Sequence, residues 1–331
     1  MMSHLASRTA GLAILAALLV ACGPSATPEP TPGLRTLRLP MGYIPNVQYA
    51  PFYMAVERGY FRDEGLTIDF DYSFETDGVQ LVGAGELPFT LASGEQVLLA
   101  RAQGLPVVYV MNWWNDFPVA VAAPASSGIV QPADLAGKRI GIPVLSGASY
   151  IGYRALLDAA GLQADIARLD VIGFTQVETM LAGTVDAAVV YANNEPFQLE
   201  AQGMPVTLIR VADYVALASN GLVTNEVTLE SDPDLVRAVL RAVMHGLQDV
   251  LADPEAAFEV CLKYVEGLAA ADQAVQRQVL EASMRFWDSG PLGVSEPEAW
   301  ENMDRVLFEM GLVQARQDVS QAYTNDYLPE P

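Results

Sequence analysis

The chain has 331 residues, 51% of them hydrophobic, with 18 Lys and Arg against 40 Asp and Glu and a formal net charge of −22. That length and apolar content suffice for two medium-sized cores, and so acidic a surface argues against a nucleic-acid partner, which needs clustered cations. The cysteines are Cys22 and Cys261 and the histidines His4 and His245, too few for a Cys-based metal site or an internal disulfide once Cys22 is used otherwise.

The first 21 residues read as a signal. "MMSHLASR" is a short leading region with one Arg, and "AGLAILAALLVA" is an apolar run too short to span a bilayer in the usual way. It ends in Leu19-Val20-Ala21-Cys22, which resembles the lipobox of bacterial lipoproteins. The resemblance implies cleavage before Cys22 and lipid (palmitate) carried by that residue. Residues 22–35 are expected to be an extended, Pro-rich tether, since the stretch "GPSATPEPTPG" (23–33) within them has no large apolar side chain.

Strands and helices then alternate. "LRTLRLPMGY" reads as a strand and "PFYMAVERG" as a helix, with Pro51 in its first turn and Gly59 at its stop. "LTIDFDYS", "LPFTLAS" and "PVVYVMNWW" read as strands, separated by the helices "GVQLVGAGE" and "GEQVLLARAQG". The pattern restarts at "FPVAVAAP" and runs through "QPADLAGKRIGIPV", helix "SYIGYRALLDAAG", strand "LDVIGF", helix "TQVETMLAG", strand "VDAAVVY" and helix "EPFQLEAQG". After "VTLIRVADY" and "ASNGLVTN" the tail is nearly all helix. Such alternation predicts an α/β fold with mostly parallel sheets and helices on both faces. Cys261, in the helical pattern "AFEVCLKYVEG", reads as a buried thiol.

"GYIPNVQYAPFYMAVERGYFRDEGL", "DGVQLVGAGELPFTLASGEQVLLARAQGLPVVYV", "PADLAGKRIGIP" and "LAGTVDAAVVY" occur in this order. Together they resemble type II periplasmic binding proteins of ABC importers, in the branch that holds thiamine-pyrimidine and sulfonate binders. "DGVQLVGAGE" and "SGEQVLLARAQG" look most like the riboflavin-binding lipoproteins of the RibY type. The resemblance implies two α/β lobes with the ligand in the cleft between them, residues 36–120 plus 214–331 forming the first and 121–213 the second. It also implies a monomer, lipid-anchored on the extracytoplasmic side of the cell membrane, that delivers its cargo to a permease and its ATPase.

Candidate ligand contacts sit where such a fold puts its cleft, beyond the carboxyl ends of strands. Tyr43, Asn46, Gln48 and Tyr49 follow the first strand, while Phe52, Tyr60 and Phe61 read as packing residues. In "NWWND", Asn112 offers hydrogen bonds, and Trp113 and Trp114, at a strand end, are expected to point to opposite sides so that at most one faces the cleft. Ser93 either caps the helix of "SGEQ" or turns toward ligand, with Glu95 or Gln96 reading a polar ring edge. From the second half come Ser146 and Tyr150 in "LSGASY", and Tyr191, Asn193 and Glu195 in "YANNEP", the last also readable as a turn and helix start.

These candidates are aromatics and amides with few cations, Arg154 and Arg210 being the nearest. They suit a neutral planar heterocycle, and riboflavin is the leading cargo. A thiamine pyrimidine precursor such as formylaminopyrimidine is the runner-up, weakened by the absence of a His from "PNVQYAPF"; a sulfonate ranks below it. A pyrimidine-synthase-like enzyme is the distant alternative. The mature chain keeps only His245 and Cys261 as reactive groups of those kinds, both in the helical tail, so no catalytic residue, cofactor or metal ligand is assigned.

Overall fold

Runs such as VVYVM and VAVAA are apolar at every position instead of at alternate ones, the pattern of strands covered on both faces. The computed structural model, which describes residues 33–330, buries them in that way. Val108, Val110, Ala120 and Ala122 enter one hydrophobic cluster, while Val107, Tyr109, Val119 and Val121 enter another on the opposite face. The expected signal, Cys22 and most of the tether lie outside the described residues. Leu34–Pro331 form one compact unit.

The strands are β1 (Arg35–Gly42), β2 (Leu66–Phe74), β3 (Thr90–Ser93), β4 (Val107–Asn112), β5 (Val119–Pro124), β6 (Arg139–Ile142), β7 (Arg168–Val171), β8 (Ala187–Tyr191), β9 (Val206–Arg210) and β10 (Asn220–Asn225). They make a parallel pair β1-β2, a three-stranded sheet β3-β10-β4 and a five-stranded sheet β7-β6-β8-β5-β9. In the last, β6, β7 and β8 run parallel, and β5 opposes both β8 and β9; β10 opposes both β3 and β4. The expectation of parallel sheets is therefore refined. β5 and β10 run against their neighbours because each begins where the chain passes from one sheet system into the other, so it enters from the cleft side.

The helices between strands are α1 (Ala50–Glu57), α2 (Tyr60–Asp63), α3 (Glu75–Gly83), α4 (Gly94–Ala102), α5 (Gly147–Ala159), α6 (Gln176–Leu181) and α7 (Glu195–Ala201). The tail adds α8 (Glu226–Ser231), α9 (Pro233–Ala252), α10 (Pro254–Tyr264), α11 (Gln273–Trp287) and α12 (Pro297–Glu309). Its boundaries follow from local chemistry. Asp232, Asp253 and Asp272 accept hydrogen bonds from backbone N–H groups in the first turns of α9, α10 and α11, and Pro233 and Pro254 open the first two. Val236, Val239, Leu240, Val243, Leu247 and Val250 form the buried stripe of α9. Gly246 lets α9 lie directly on α1, since a Cβ there would stand 2.1 Å from the Pro51 carbonyl oxygen. Phe52 and Phe61 are core as expected, and Tyr60 donates to Asp249 at 2.6 Å. Cys261 is buried, and burial pushes its thiol up to about 12. Among the described residues no helix is long and apolar enough to cross a membrane.

Candidate functional site

Six strands deliver residues to one cleft from their carboxyl ends. β1 ends in Met41-Gly42-Tyr43, β2 in Phe74-Glu75-Thr76 and β4 in Trp113-Trp114 on one wall; β6 leads to Pro143–Ser149, β7 to Phe174 and Gln176, and β8 to Tyr191, Asn194 and Glu195 on the other. The cleft measures about 1080 Å³ including the part open to solvent, the size of a site for a cofactor-sized molecule. Its lining contains no Arg, Lys or His. Arg154 bonds Tyr150 at 2.8 Å and Arg210 pairs with Asp116 at 3.0 Å, both away from it.

Of the residues expected here, Tyr43, Gln48, Tyr49, Gln96, Trp113, Trp114, Ser146, Tyr191 and Glu195 line the cleft. The others do not. Asn46 accepts from the Gln48 N–H and caps the short 3-10 turn Val47–Tyr49. Asn112 turns to Tyr109, Asn115 and the Val294 carbonyl, beside a separate cavity. Tyr150 lies one helical turn along α5 and faces another depression. Asn193 is fully buried and donates to Ser283 at 2.9 Å. Ser93 and Glu95 are buried behind the cleft wall, and Ser93 makes no capping bond to α4 because its hydroxyl is engaged by carboxyl groups.

The two tryptophans correct another expectation. The strand has ended at Asn112, so strand alternation no longer governs them, and both reach the cleft. Trp113 is nevertheless committed to protein partners. It stacks on Tyr49 (5.4 Å between centroids, 26° between planes) and on Trp287 (6.0 Å, 27°), and meets Phe52 and Trp114 edge-on. Tyr49 is held by its own hydroxyl, which donates to the Met41 carbonyl at 2.7 Å. The less committed rings stand nearer the mouth. Tyr43 meets Phe174 edge to face across the cleft at 5.1 Å, and Phe174 and Phe74 are 48% and 63% exposed.

Three glutamates shape the electrostatics, each in the first turn of a helix that starts at the cleft. Glu75 opens α3; its Oε2 accepts from the Ser93 N–H at 3.1 Å and the Ser93 hydroxyl at 2.6 Å, and its Oε1 from Asn220 Nδ2 at 3.0 Å. Gly42 makes room for it, because a Cβ at that residue, whose φ is 81°, would stand 2.6 Å from Glu75 Cγ. Burial raises the Glu75 carboxyl, and the Ser93 and Asn220 donors pull it back. Behind it Glu95 shares the Ser93 hydroxyl and is pushed up to about 8 by burial and by the neighbouring Glu75. Across the cleft Glu195 accepts from the Tyr191 N–H at 2.9 Å and Asn194 at 3.0 Å, and burial raises it to about 7. A chain from the Tyr191 hydroxyl through Asn220 to Glu75 ties the two walls together.

Phe74, Glu75, Phe174, Gln176 and Asn194 were not singled out in the sequence, although Phe74 ends a strand and the others follow one, so that the same rule applied to every strand would have reached them. Asn220 carries no such signal, for it heads a strand and comes to the cleft because β10 runs antiparallel between β3 and β4.

Residues 46–257 match the family described as NMT1/THI5 like. The chain belongs to the NMT1/THI5-like family. Within and around this family it is similar to riboflavin-binding protein RibY of Chloroflexus aurantiacus, 38% identical over 319 residues that cover 93% of this chain and 91% of the relative. It is 29% identical to a formylaminopyrimidine-binding protein of Halalkalibacterium halodurans, covering 88% and 90% of the two chains. More distant relatives, such as one from Legionella pneumophila at 23% identity over 88% of this chain and 91% of the relative, are named 4-amino-5-hydroxymethyl-2-methylpyrimidine phosphate synthase. The solved periplasmic aliphatic sulphonate binding protein SsuA of Escherichia coli superposes with a TM-score of 0.71 over 90% of this chain and 94% of its own, at 15% identity. The fold is that of periplasmic binding proteins, with the cleft where the strand ends converge.

Proposed function

We propose that this protein is the substrate-binding component of an ABC importer, that it captures riboflavin, and that Cys22 carries the lipid that holds it at the extracytoplasmic face of the membrane. The observation that carries the cargo reading is the cleft itself: seven aromatic rings (Tyr43, Tyr49, Phe74, Trp113, Trp114, Phe174 and Tyr191), five amide side chains, and no cation. The 38% identity to a protein named for riboflavin binding supports the same cargo. A flat tricyclic ring suits aromatic walls, each contact contributing roughly 1–3 kcal/mol by analogy with base stacking. The amides suit its carbonyl edge and its hydroxylated chain. An anionic cargo fits poorly, because the lining has no cation and Glu75, ionised in the first turn of α3, already answers the positive end of that helix at the cleft.

Capture rather than catalysis fits these side chains. The three carboxyl groups are engaged by Ser93, Asn220, Asn194 and backbone N–H groups, and the Cys261 thiol is buried in the helical tail.

Riboflavin titration followed by flavin fluorescence tests the reading. Saturable quenching at one site per chain is expected, with no competition from formylaminopyrimidine. Direct binding of the pyrimidine, read by calorimetry, with no response to riboflavin would transfer the cargo to the second reading, which the 29% relative favours.

A further inference from the structure

The hydroxyl of Ser93 has one hydrogen, yet it is bonded to two carboxyl groups, Glu75 Oε2 at 2.6 Å and Glu95 Oε1 more closely still. A hydroxyl donates once, so one of the two carboxyl groups must donate to Ser93 and therefore carries a proton. The surroundings decide which. Glu95 has no exposed surface, its Oε2 has no partner, and beyond its own backbone N–H its remaining donor is Gln96 Nε2 at 3.4 Å. Ionised, it would be a buried charge with almost nothing to solvate it. Glu75 accepts from a backbone N–H, the Ser93 hydroxyl and the Asn220 amide, all of which favour its charged form. The other titratable groups that bear on the pair are Tyr49, Tyr109 and Tyr191, all of them driven further toward the neutral phenol by burial.

A carboxylate offers about four lone-pair sites. Three on Glu75 are taken, and the fourth, on Oε1, belongs to a residue that lines the cleft. We propose that Glu75 is the specificity-determining acceptor for a ring N–H on the cargo, and that Glu95, acting through Ser93, holds the proton that leaves Glu75 ionised. This deepens the reading of the cleft as a site for a neutral heterocycle and rests on it. The ligand class is an imide or cyclic amide, whose N–H meets Glu75 while its flanking carbonyls meet side-chain amides such as Asn220 and Gln48. A ring offering a lone pair or a methyl group at that edge would face acceptor against acceptor and leave the carboxylate unpaired. Burial, which pushes Glu95 up to about 8, agrees with the assignment of the proton.

The test uses the full chain, riboflavin, and riboflavin methylated on its imide nitrogen. Hydrogen bonds to charged groups are worth roughly 1.5–3 kcal/mol, so methylation is expected to weaken binding to the parent on the order of 10–100-fold. Glu75→Gln should weaken riboflavin by a similar factor and close most of the gap between the two flavins. Equal binding of both flavins by the parent, or an unchanged gap in Glu75→Gln, would overturn the proposal; the first comparison needs no variant to fold. Independently of any ligand, the infrared spectrum below neutral pH should lose one protonated-carboxyl band in Glu95→Gln, with the Glu195 band retained. No such loss would also overturn it. If the parent bound neither flavin, the riboflavin reading would fall by itself, and the infrared difference would still decide where the proton resides.

Discussion

Replacing Glu95 by Gln converts the buried proton into a stability measurement. Glu95 ionises at the usual 4.5 in an unfolded chain and at about 8 in the fold. Between those values the folded state holds a proton that the unfolded state has released, so stability falls as pH rises through the window and levels off above about 8. The displacement corresponds to about 5 kcal/mol between mildly acid and mildly alkaline solution. Glu195, raised to about 7, adds a loss of the same sign and about 3 kcal/mol. Gln resembles the protonated carboxyl: its amide N–H donates to Ser93, whose hydrogen then serves Glu75. Glu95→Gln should therefore match the parent within about 1 kcal/mol near pH 5 and exceed it by several kcal/mol near pH 9. Urea unfolding at a series of pH values, with the slope checked for constancy, reads the difference directly. Parent and variant curves running parallel would refute the argument, because they would mean that Glu95 does not change protonation in the fold over that range.

Trp113→Ala should cost about 3–5 kcal/mol in unfolding free energy, because the ring is stacked against both Tyr49 and Trp287; a loss of riboflavin binding with unchanged urea midpoint would contradict that packing role. Phe174→Ala should do the reverse. Its ring is 48% exposed and touches Tyr43 across the cleft, so stability should stay within about 0.5 kcal/mol while riboflavin affinity falls about tenfold, measured by fluorescence titration. Gly246→Ala should destabilise by about 1–3 kcal/mol, since the new methyl group would press on the Pro51 carbonyl and Ala55 and drive α9 from α1. Thermal unfolding checks it, and an unchanged midpoint would mean that the two helices separate without cost.

Much of the architecture was legible because it rests on local chemistry. Strand and helix alternation, Asp-Pro starts of the tail helices and the apolar stripe of α9 are patterns within a few residues, and the structure follows them. The site was legible in part. Tyr43, Gln48 and Tyr49 were found because they follow a strand, and so do Tyr191 and Glu195. The reading went astray where a side chain's direction depends on distant groups. Asn112 and Asn193 look like ligand contacts in sequence but are drawn away by Asn115, Val294 and Ser283.

The sequence alone therefore determined the order of elements, the acidic surface, the aromatic and amide content of the cleft loops and the kinship with periplasmic binding proteins, since each depends on composition or short-range pattern. Tertiary structure alone decided that Trp113 is spent on protein packing, that Asn220 reaches the cleft, and that Glu75 and Glu95 meet across one serine hydroxyl. Residues 75, 95 and 220 come from the starts of α3, α4 and β10, and their chemistry appears when antiparallel β10, pairing with β3, brings them within hydrogen-bonding reach.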